Sequence, residues 1–385
     1  MVQGHVTTPV PLDPLGVTGE GFATAHKAAG ILSWHAALNA YRHVLRTGRD
    51  PLGRVAAGVS PIVRTLREEC SEGEVIKFTQ RVGNHTQADA NAQRPREVET
   101  ESVLIPMIGR SGRSTYTLCV SSQIGCAMGC GFCETAQMGL IRSLTPGEIV
   151  GQWFAATHLV GKRPKNIVFM GMGEPLDNYD NVIAAIEILT DHNGAAVPIN
   201  KITISTVGRL DGLAKLRERI HLPGWHRLNL AVSLNAPTDQ IRSQIMPVNR
   251  GMPMASLRAM LEEWPIYGGA KLCVEYVLIP GVNDAPEHAS QIAEFIRPID
   301  NAYKARTRGT SPRCVVNLIP YNPRRDSPWP APEEDHVDRF LSWLGEAGLY
   351  AKRRRTKGRR MMGACGQLGS EAIRGRKVVP LTISE

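Results

Sequence analysis

The sequence predicts an α/β fold built on a parallel sheet, preceded by a small helical domain and followed by a basic C-terminal extension. Three observations point there: β-rich runs alternate with helical stretches through the middle of the chain, apolar residues recur at helical spacing before them, and basic residues crowd the end. Parallel neighbours need a crossover, so repeated βα units imply a parallel sheet, open or closed into a barrel. With 42% apolar and 21% charged residues the chain is globular rather than disordered. Its 385 residues allow two or three domains, or one large α/β domain with additions, at roughly 100–200 residues each.

In chain order, Leu32, Trp34, Ala37, Leu38, Tyr41, Val44 and Leu45, then Ile62, Val63 and Leu66, recur at helical spacing between Ile31 and Glu69, with a break near Asp50-Pro51. They set a helical, RNA-binding candidate domain at residues 1–90. Between Gly83 and Thr100 the sequence turns polar (Asn84, His85, Thr86 and Gln87, then Asn91, Gln93, Arg94 and Pro95), which reads as a linker or long hairpin loop at the domain boundary. The core at 91–350 carries strands at Asn166 to Met170, Lys201 to Thr206, Leu228 to Asn235, Leu272 to Ile279 and Cys314 to Ile319. Helices lie near Pro146 to Val160, Asn181 to Leu189, Leu210 to Glu218, Asp239 to Met246, Met254 to Trp264 and Glu287 to Ile296. Ligands of such a sheet collect at the carboxyl ends of its strands. Gly171 to Pro175, Ser205, Ser233 to Asn235 and Asn322 each follow or end a strand. Residues 351–385 form the tail.

Charge and hydropathy narrow the function classes. Nothing approaches the 18 or more consecutive apolar residues of a membrane helix, and Met1 to Gly30 lacks the charged start and compact apolar run of a signal peptide, so the chain reads as soluble and cytoplasmic, with no membrane partner. The net charge is +9. From Lys352 to Lys377 ten basic residues face one acidic residue, Glu371, so this stretch alone accounts for the excess. A localised cationic run suits a polyphosphate partner such as RNA; the same run would also serve as a solvated tail.

Eight cysteines in 385 residues are too sparse for a disulfide framework, yet several cluster. Cys126-Ala127-Met128-Gly129-Cys130-Gly131-Phe132-Cys133 is a C-x3-C-x2-C loop. Three thiolates on a short glycine-containing loop can reach three corners of one iron–sulfur cluster. No fourth ligand lies nearby, which leaves one iron open to a small molecule, as catalytic metal sites require. The alternative is a three-cysteine zinc site completed by a distant His.

This loop, with an aromatic residue just before its third cysteine, resembles the radical S-adenosylmethionine (SAM) superfamily. The flanking stretch Thr117 to Cys126 resembles more narrowly the RlmN/Cfr family of RNA adenine methyltransferases. Gly171-Met172-Gly173-Glu174-Pro175, Ser205-Thr206-Val207-Gly208, Ser233-Leu234-Asn235, Asn317 to Pro323 and Ala364-Cys365-Gly366-Gln367-Leu368 follow in the family's order. The resemblance runs from about Glu101 to Leu368, roughly two-thirds of the chain, and implies a partial (βα)6-type barrel. It implies a [4Fe–4S] cluster on Cys126, Cys130 and Cys133, with SAM held by Gly173, Glu174, Ser205, Ser233, Leu234, Asn235 and Asn322. Strand-end capping is the bland alternative for each polar member of that set. The resemblance also makes Cys365 a methyl carrier, Cys119 the resolving cysteine that ends in a Cys119–Cys365 disulfide, and Glu101 the base that takes the ring proton. Cys70, Cys273 and Cys314 match no motif and read as small core residues or incidental thiols.

Implied partners are RNA, with 23S rRNA first and tRNA second, and an electron donor such as flavodoxin or ferredoxin; nothing demands more than a monomer. The ring atom is C2 ahead of C8. The rivals are the same chemistry at C8 or on another RNA site, and a noncatalytic RNA-binding protein with a structural cluster, against which Cys119 and Cys365 both argue. Three positions depart from the family. Arg359 to Gly363 replaces an acidic residue followed by Ile, Glu134 follows the last cluster cysteine where a small residue is common, and Asn235 stands where His is frequent. An ionised Glu134 would make a cluster harder to reduce.

Overall fold

A computed structural model of the chain describes residues 12–51, 58–83, 97–109, 112–265, 267, 272–308, 310 and 312–369. It opens with helices α1 (Gly19–Ala28) and α2 (Trp34–Thr47), capped by the side chains of Thr18 and Ser33. The spacing of Ala37, Leu38, Tyr41, Val44 and Leu45 is the buried face of α2.

Beyond α2 the helical expectation fails. Ile62, Val63 and Leu66 lie in strand β1 (Ile62–Cys70), antiparallel to β2 (Gly73–Gly83), which pairs with β3 (Glu97–Ile108) and so with β4 (Ser114–Cys119). Apolar residues at i, i+1 and i+4 fit a helix as well as a strand, and β1 is an edge none of whose residues is buried, so its sequence carries no apolar-polar alternation to reveal it. Residues 62–83 therefore belong to the main sheet rather than to a helical domain. Of the polar stretch, Gly83 ends β2 opposite Glu97 in β3. Asn84, His85, Thr86, Gln87, Asn91, Gln93, Arg94 and Pro95 lie outside the described residues, as do Glu371, Arg374, Arg376 and Lys377 of the tail.

A small second sheet pairs β5 (Gln123–Gly125) with β6 (Leu140–Ser143), and the short helix α3 (Glu134–Gln137) lies between them. The βα units follow: α4 (Pro146–Phe154), β7 (Asn166–Phe169), α5 (Tyr179–Thr190), β8 (Ile202–Thr206), α6 (Leu210–Ile220), β9 (Asn229–Ser233), α7 (Asp239–Ile245), α8 (Met254–Glu262), β10 (Leu272–Leu278), α9 (Pro286–Thr307) and β11 (Cys314–Pro320). Thr145 and Glu148 form a capping box at the start of α4, with Pro146 in its first turn. Helix α9 continues past Pro298 to Thr307, beyond its expected end. Helix α10 (Glu334–Glu346) and strand β12 (Ala351–Arg353) were not expected.

Among the described residues the main sheet runs β1-β2-β3-β4-β7-β8-β9-β10-β11-β12. Pairing is parallel from β4 onward. Strands β4, β7, β8, β9, β10 and β11 thus make six parallel strands of a partial barrel, β12 adds a seventh, and among the described residues β1 and β12 are the outermost strands of the sheet. Side chains alternate across each strand. Ile204, Val232, Val274 and Leu318 enter the apolar core, while Ser205, Ser233, Glu275 and Ile319 line a cleft at the carboxyl ends. Among the described residues no helix is long and apolar enough to cross a membrane.

Candidate active site

The cysteine loop leaves β5 through a close backbone approach. Gly125 has φ +73, and a Cβ there would fall 1.8 Å from the Gly139 carbonyl oxygen, so only glycine fits. Cys126 N donates to that same carbonyl at 3.0 Å. Gly131 N donates to Ile245 O, Arg324 Nε donates to Gly131 O, and Gln137 Nε2 donates to the carbonyls of Cys130 and Cys133. The loop is fixed by its main chain, and Cys126, Cys130 and Cys133 all line the cleft, whose empty volume is about 810 Å³. Burial pushes all three thiols up, and Cys126 and Cys130 are pushed further by Cys133. Thiols that neighbour one another in a dry site favour a cationic group that takes them as thiolates.

Gly173 (φ +98) brings the backbone against Gln123, whose Cβ would lie 2.5 Å from an added methyl group. Glu174 follows, buried, with Leu176 N donating to Oε1 at 3.0 Å and Val207 N to Oε2 at 2.9 Å. Burial pushes its carboxyl up to about 7, against the pull of these backbone donors. A ligand ammonium would reverse that shift. Asn235 holds a left-handed backbone (φ +58), which Asn tolerates better than most residues. Its Oδ1 accepts from Val277 N at 3.0 Å, and its Nδ2 faces the Met246 sulfur. Beneath these turns the buried Arg242 donates to the carbonyls of Leu234, Val207 and Ser233 and to Asn249 Oδ1, tying the ends of β8 and β9 together.

Of the residues singled out from the sequence, Cys126, Cys130, Cys133, Gly173, Glu174, Ser205, Ser233, Asn235 and Cys365 share this cleft. Leu234, Asn322, Cys119 and Glu101 do not line it. Leu234 is fully buried, its N donating to Glu275 O. Asn322 lines a smaller adjoining pocket with Cys365, and its Nδ2 donates to Cys365 O at 3.3 Å. Cys119 ends β4 beside Cys365. Burial, and then the Cys365 thiol, push it up to about 12, while Arg354 pulls the other way. Burial pushes Cys365 itself up to about 11, opposed by the same guanidinium. All eight cysteines are free thiols. Glu101 is buried in β3 rather than exposed at a strand edge. Its Oε2 lies 2.8 Å from Lys77 Nζ and accepts from Gly369 N at 3.1 Å.

Sequence reasoning missed Glu275, Arg354 and Lys77. Glu275 accepts from Ser205 Oγ at 3.1 Å and Asn317 Nδ2 at 3.2 Å, and lies 3.9 Å from Arg354. A carboxylate in the middle of an otherwise apolar strand was its available signal. Arg354 was absorbed into the tail's charge, although its N donates to Leu318 O at the end of β12 and its guanidinium stands by both Cys119 and Cys365.

The departures from the family pattern have local partners. Glu134 N donates to Gly366 O at 2.7 Å, and its Oε2 accepts from Arg325 N, so it joins the cluster loop to the Cys365 loop. Arg359 Nε donates to Asn322 Oδ1 at 3.1 Å. Cys314 is core, Cys273 is half-buried on β10, and Cys70 donates to Gly73 O in the β1–β2 turn.

The donor set fits a cluster with a small-molecule ligand. Among the described residues no three His, Cys, Asp or Glu side chains gather closely enough to share one metal ion, as the zinc alternative requires. Thiolates that each bind a different iron need only face one cavity, and these do. A partial barrel with three loop cysteines at the mouth of such a cleft defines a radical SAM protein, a class that uses a [4Fe–4S] cluster and SAM, and the Radical SAM superfamily matches residues 120–296. A probable dual-specificity RNA methyltransferase RlmN 1 of Protochlamydia amoebophila is 43% identical over 288 residues, covering 74% of each chain. The dual-specificity RNA methyltransferase RlmN of Rhodospirillum rubrum is 35% identical over 382 residues, covering 96% of this chain and 82% of its own. A crystal structure of a radical SAM methyltransferase from Sphaerobacter thermophilus superposes with a TM-score of 0.75 at 31% identity, covering 93% of this chain and 99% of that one. The chain belongs to the RlmN family of dual-specificity RNA methyltransferases.

Proposed function

We propose that this protein methylates an adenine of RNA, at C2 of a 23S rRNA nucleotide and of tRNA, with the methyl group passing through Cys365. The observation that carries the reading is the adjacency of two free thiols outside the cluster loop, Cys119 and Cys365, with Arg354 beside both and Cys365 on the wall of the cleft. A binding module needs neither thiol.

In this reading Cys126, Cys130 and Cys133 hold the cluster, while Gly173, Glu174, Ser205, Ser233 and Asn235 hold SAM from the cleft wall and Asn322 from the adjoining pocket; Leu234, fully buried, packs behind them. When bound, the two cofactors supply the methyl group and the radical that activates it. Cys365 carries the methyl group as a thioether, Arg354 favouring its thiolate. Glu101 takes the ring proton, which the adduct must lose to regain aromaticity. Cys119 attacks the Cys365 sulfur as the base departs, leaving a disulfide that cellular reductants reset. An electron donor such as flavodoxin or ferredoxin serves a monomeric enzyme in the cytoplasm.

The same chemistry at C8 is the second reading, favoured by Arg359 in the carrier loop and its bond to Asn322. Nucleoside mass spectrometry on rRNA and tRNA from a host lacking its own enzyme, with and without this chain, decides between them. A new 2-methyladenosine peak is expected; an 8-methyladenosine peak supports the second reading, and neither peak from cluster-loaded protein refutes both. Cys365→Ala should abolish product with iron content intact, and Cys119→Ala should trap protein crosslinked to RNA.

A further inference from the structure

Residues 357–369, which carry Cys365, contain no helix or strand, so side chains from elsewhere must hold them. Two of the contacts converge on one buried pair. Lys77 on β2 and Glu101 on β3 have side chains only 7% and 5% exposed and lie 2.8 Å apart. Lys77 Nζ also donates to Met362 O at 2.9 Å, and Glu101 Oε2 also accepts from Gly369 N at 3.1 Å. One ion pair thus grips the loop on both sides of Cys365.

We propose that Lys77 is a positioning residue of the methyl transfer: its ammonium holds the Met362 carbonyl and Glu101 Oε2 together, fixing the carrier cysteine's loop against the carboxylate that receives the ring proton. The proposal rests on the roles given above to Cys365 and Glu101. Two features go beyond what a plain structural pair needs. Met362 has φ +52, a left-handed conformation costing an L-residue about 1–2 kcal/mol, and Lys77 grips the carbonyl of that strained residue. Both partners of Glu101 fall on Oε2; among the described residues Oε1 accepts no hydrogen bond, which leaves one oxygen for a proton.

The test is deuterium exchange on the full chain without cofactors. Lys77→Met should speed exchange of the amides in 358–369 by about tenfold or more, the worth of one charge-assisted hydrogen bond, with β7 to β10 at wild-type rates. Removing one partner of a buried pair can itself unfold a protein, so Lys77→Met combined with Glu101→Gln supplies a neutral counterpart. That double variant should melt like wild type yet keep the fast loop, and Lys77→Arg, which retains donors, should recover part of the protection. Wild-type loop exchange in the double variant would overturn the proposal. So would acceleration spread evenly over the whole chain, the mark of a merely structural role. In reconstituted enzyme, Lys77→Met should lower the fraction of Cys365 recovered as S-methylcysteine by a similar factor. No S-methylcysteine in the wild type would refute the carrier reading itself, a failure distinct from that of the exchange measurement.

Discussion

The wall of the cleft and the loop that carries Cys365 meet at one place but are built in different ways. In the wall, functional side chains are pinned by main-chain donors at strand ends: Glu174 by Leu176 and Val207, and Asn235 by Val277. The Cys365 loop has one main-chain tie, from Glu134 N to Gly366 O, and otherwise depends on single side chains from distant elements, among them Lys77 on β2, Glu101 on β3, Thr135 on α3 and Asn322 after β11. A wall made by the sheet resists one substitution, whereas a strapped loop can loosen one strap at a time. The wall should therefore decide whether cofactors bind, and the loop whether methyl transfer follows.

The largest effect should come from the wall. Cys130→Ala should reduce bound iron to background and abolish RNA methylation, because one of three thiolates is lost. The fold should survive, since removing a small buried side chain costs about 1 kcal/mol. Iron assay, visible absorbance and melting temperature check all three. A brown, iron-replete variant would mean that another residue completes the site.

Glu174 tests the wall without any cofactor. Its carboxyl is raised from 4.5 to about 7, so the folded chain keeps a proton that the unfolded chain has released. The stability this group contributes is complete below about pH 4.5 and is lost as pH rises through about 7. The melting temperature of cofactor-free protein should fall by several degrees across that window, and Glu174→Gln should flatten the fall. An unchanged slope in the variant would assign the pH dependence to other groups.

The same contrast explains what could be read from the sequence. The wall was legible because each of its turns carries a short contiguous signature, such as Gly173-Glu174 or Ser233-Leu234-Asn235, at the end of a recognisable strand. Cys365 stood out too, in the short phrase Ala364 to Leu368, but the supports of its loop did not. Lys77 and Met362 are 285 positions apart, and no local pattern announces that a lysine on one strand will meet a carbonyl so far away. Strand β1 failed for a related reason: its identity comes from pairing with β2, while none of its side chains is buried and its apolar residues do not alternate with polar ones. Glu275 was within reach, as a lone carboxylate between Val274 and Tyr276, had the strand been read for its exceptions rather than its average.

Arg354 lies where wall and loop join, and its removal should give a smaller, directed effect. Its charge lowers the thiol pKa of both Cys365 and Cys119 against the upward push of burial. Arg354→Met should raise both, so alkylation of Cys365 by iodoacetamide in cofactor-free protein should slow by roughly threefold to tenfold at fixed pH. Faster alkylation would show that the guanidinium shields the thiol more than it ionises it.

The smallest effect on the fold, and the sharpest test of the comparison, is expected at Arg359. Its guanidinium reaches Asn322 and, more loosely, Thr356 from a largely exposed position, so Arg359→Ala should change stability by no more than about 0.5–1 kcal/mol. The family pattern's acidic residue falls at the neighbouring Arg360, and an exposed cation beside the Cys365 loop is well placed to meet a phosphate. If it does, the variant should weaken RNA binding evenly across sequences and reduce the slope of log affinity against log salt by roughly one. An unchanged slope with lower S-methylation of Cys365 would make Arg359 one more strap on the loop, acting through Asn322. A changed slope with normal S-methylation would make it part of the RNA surface.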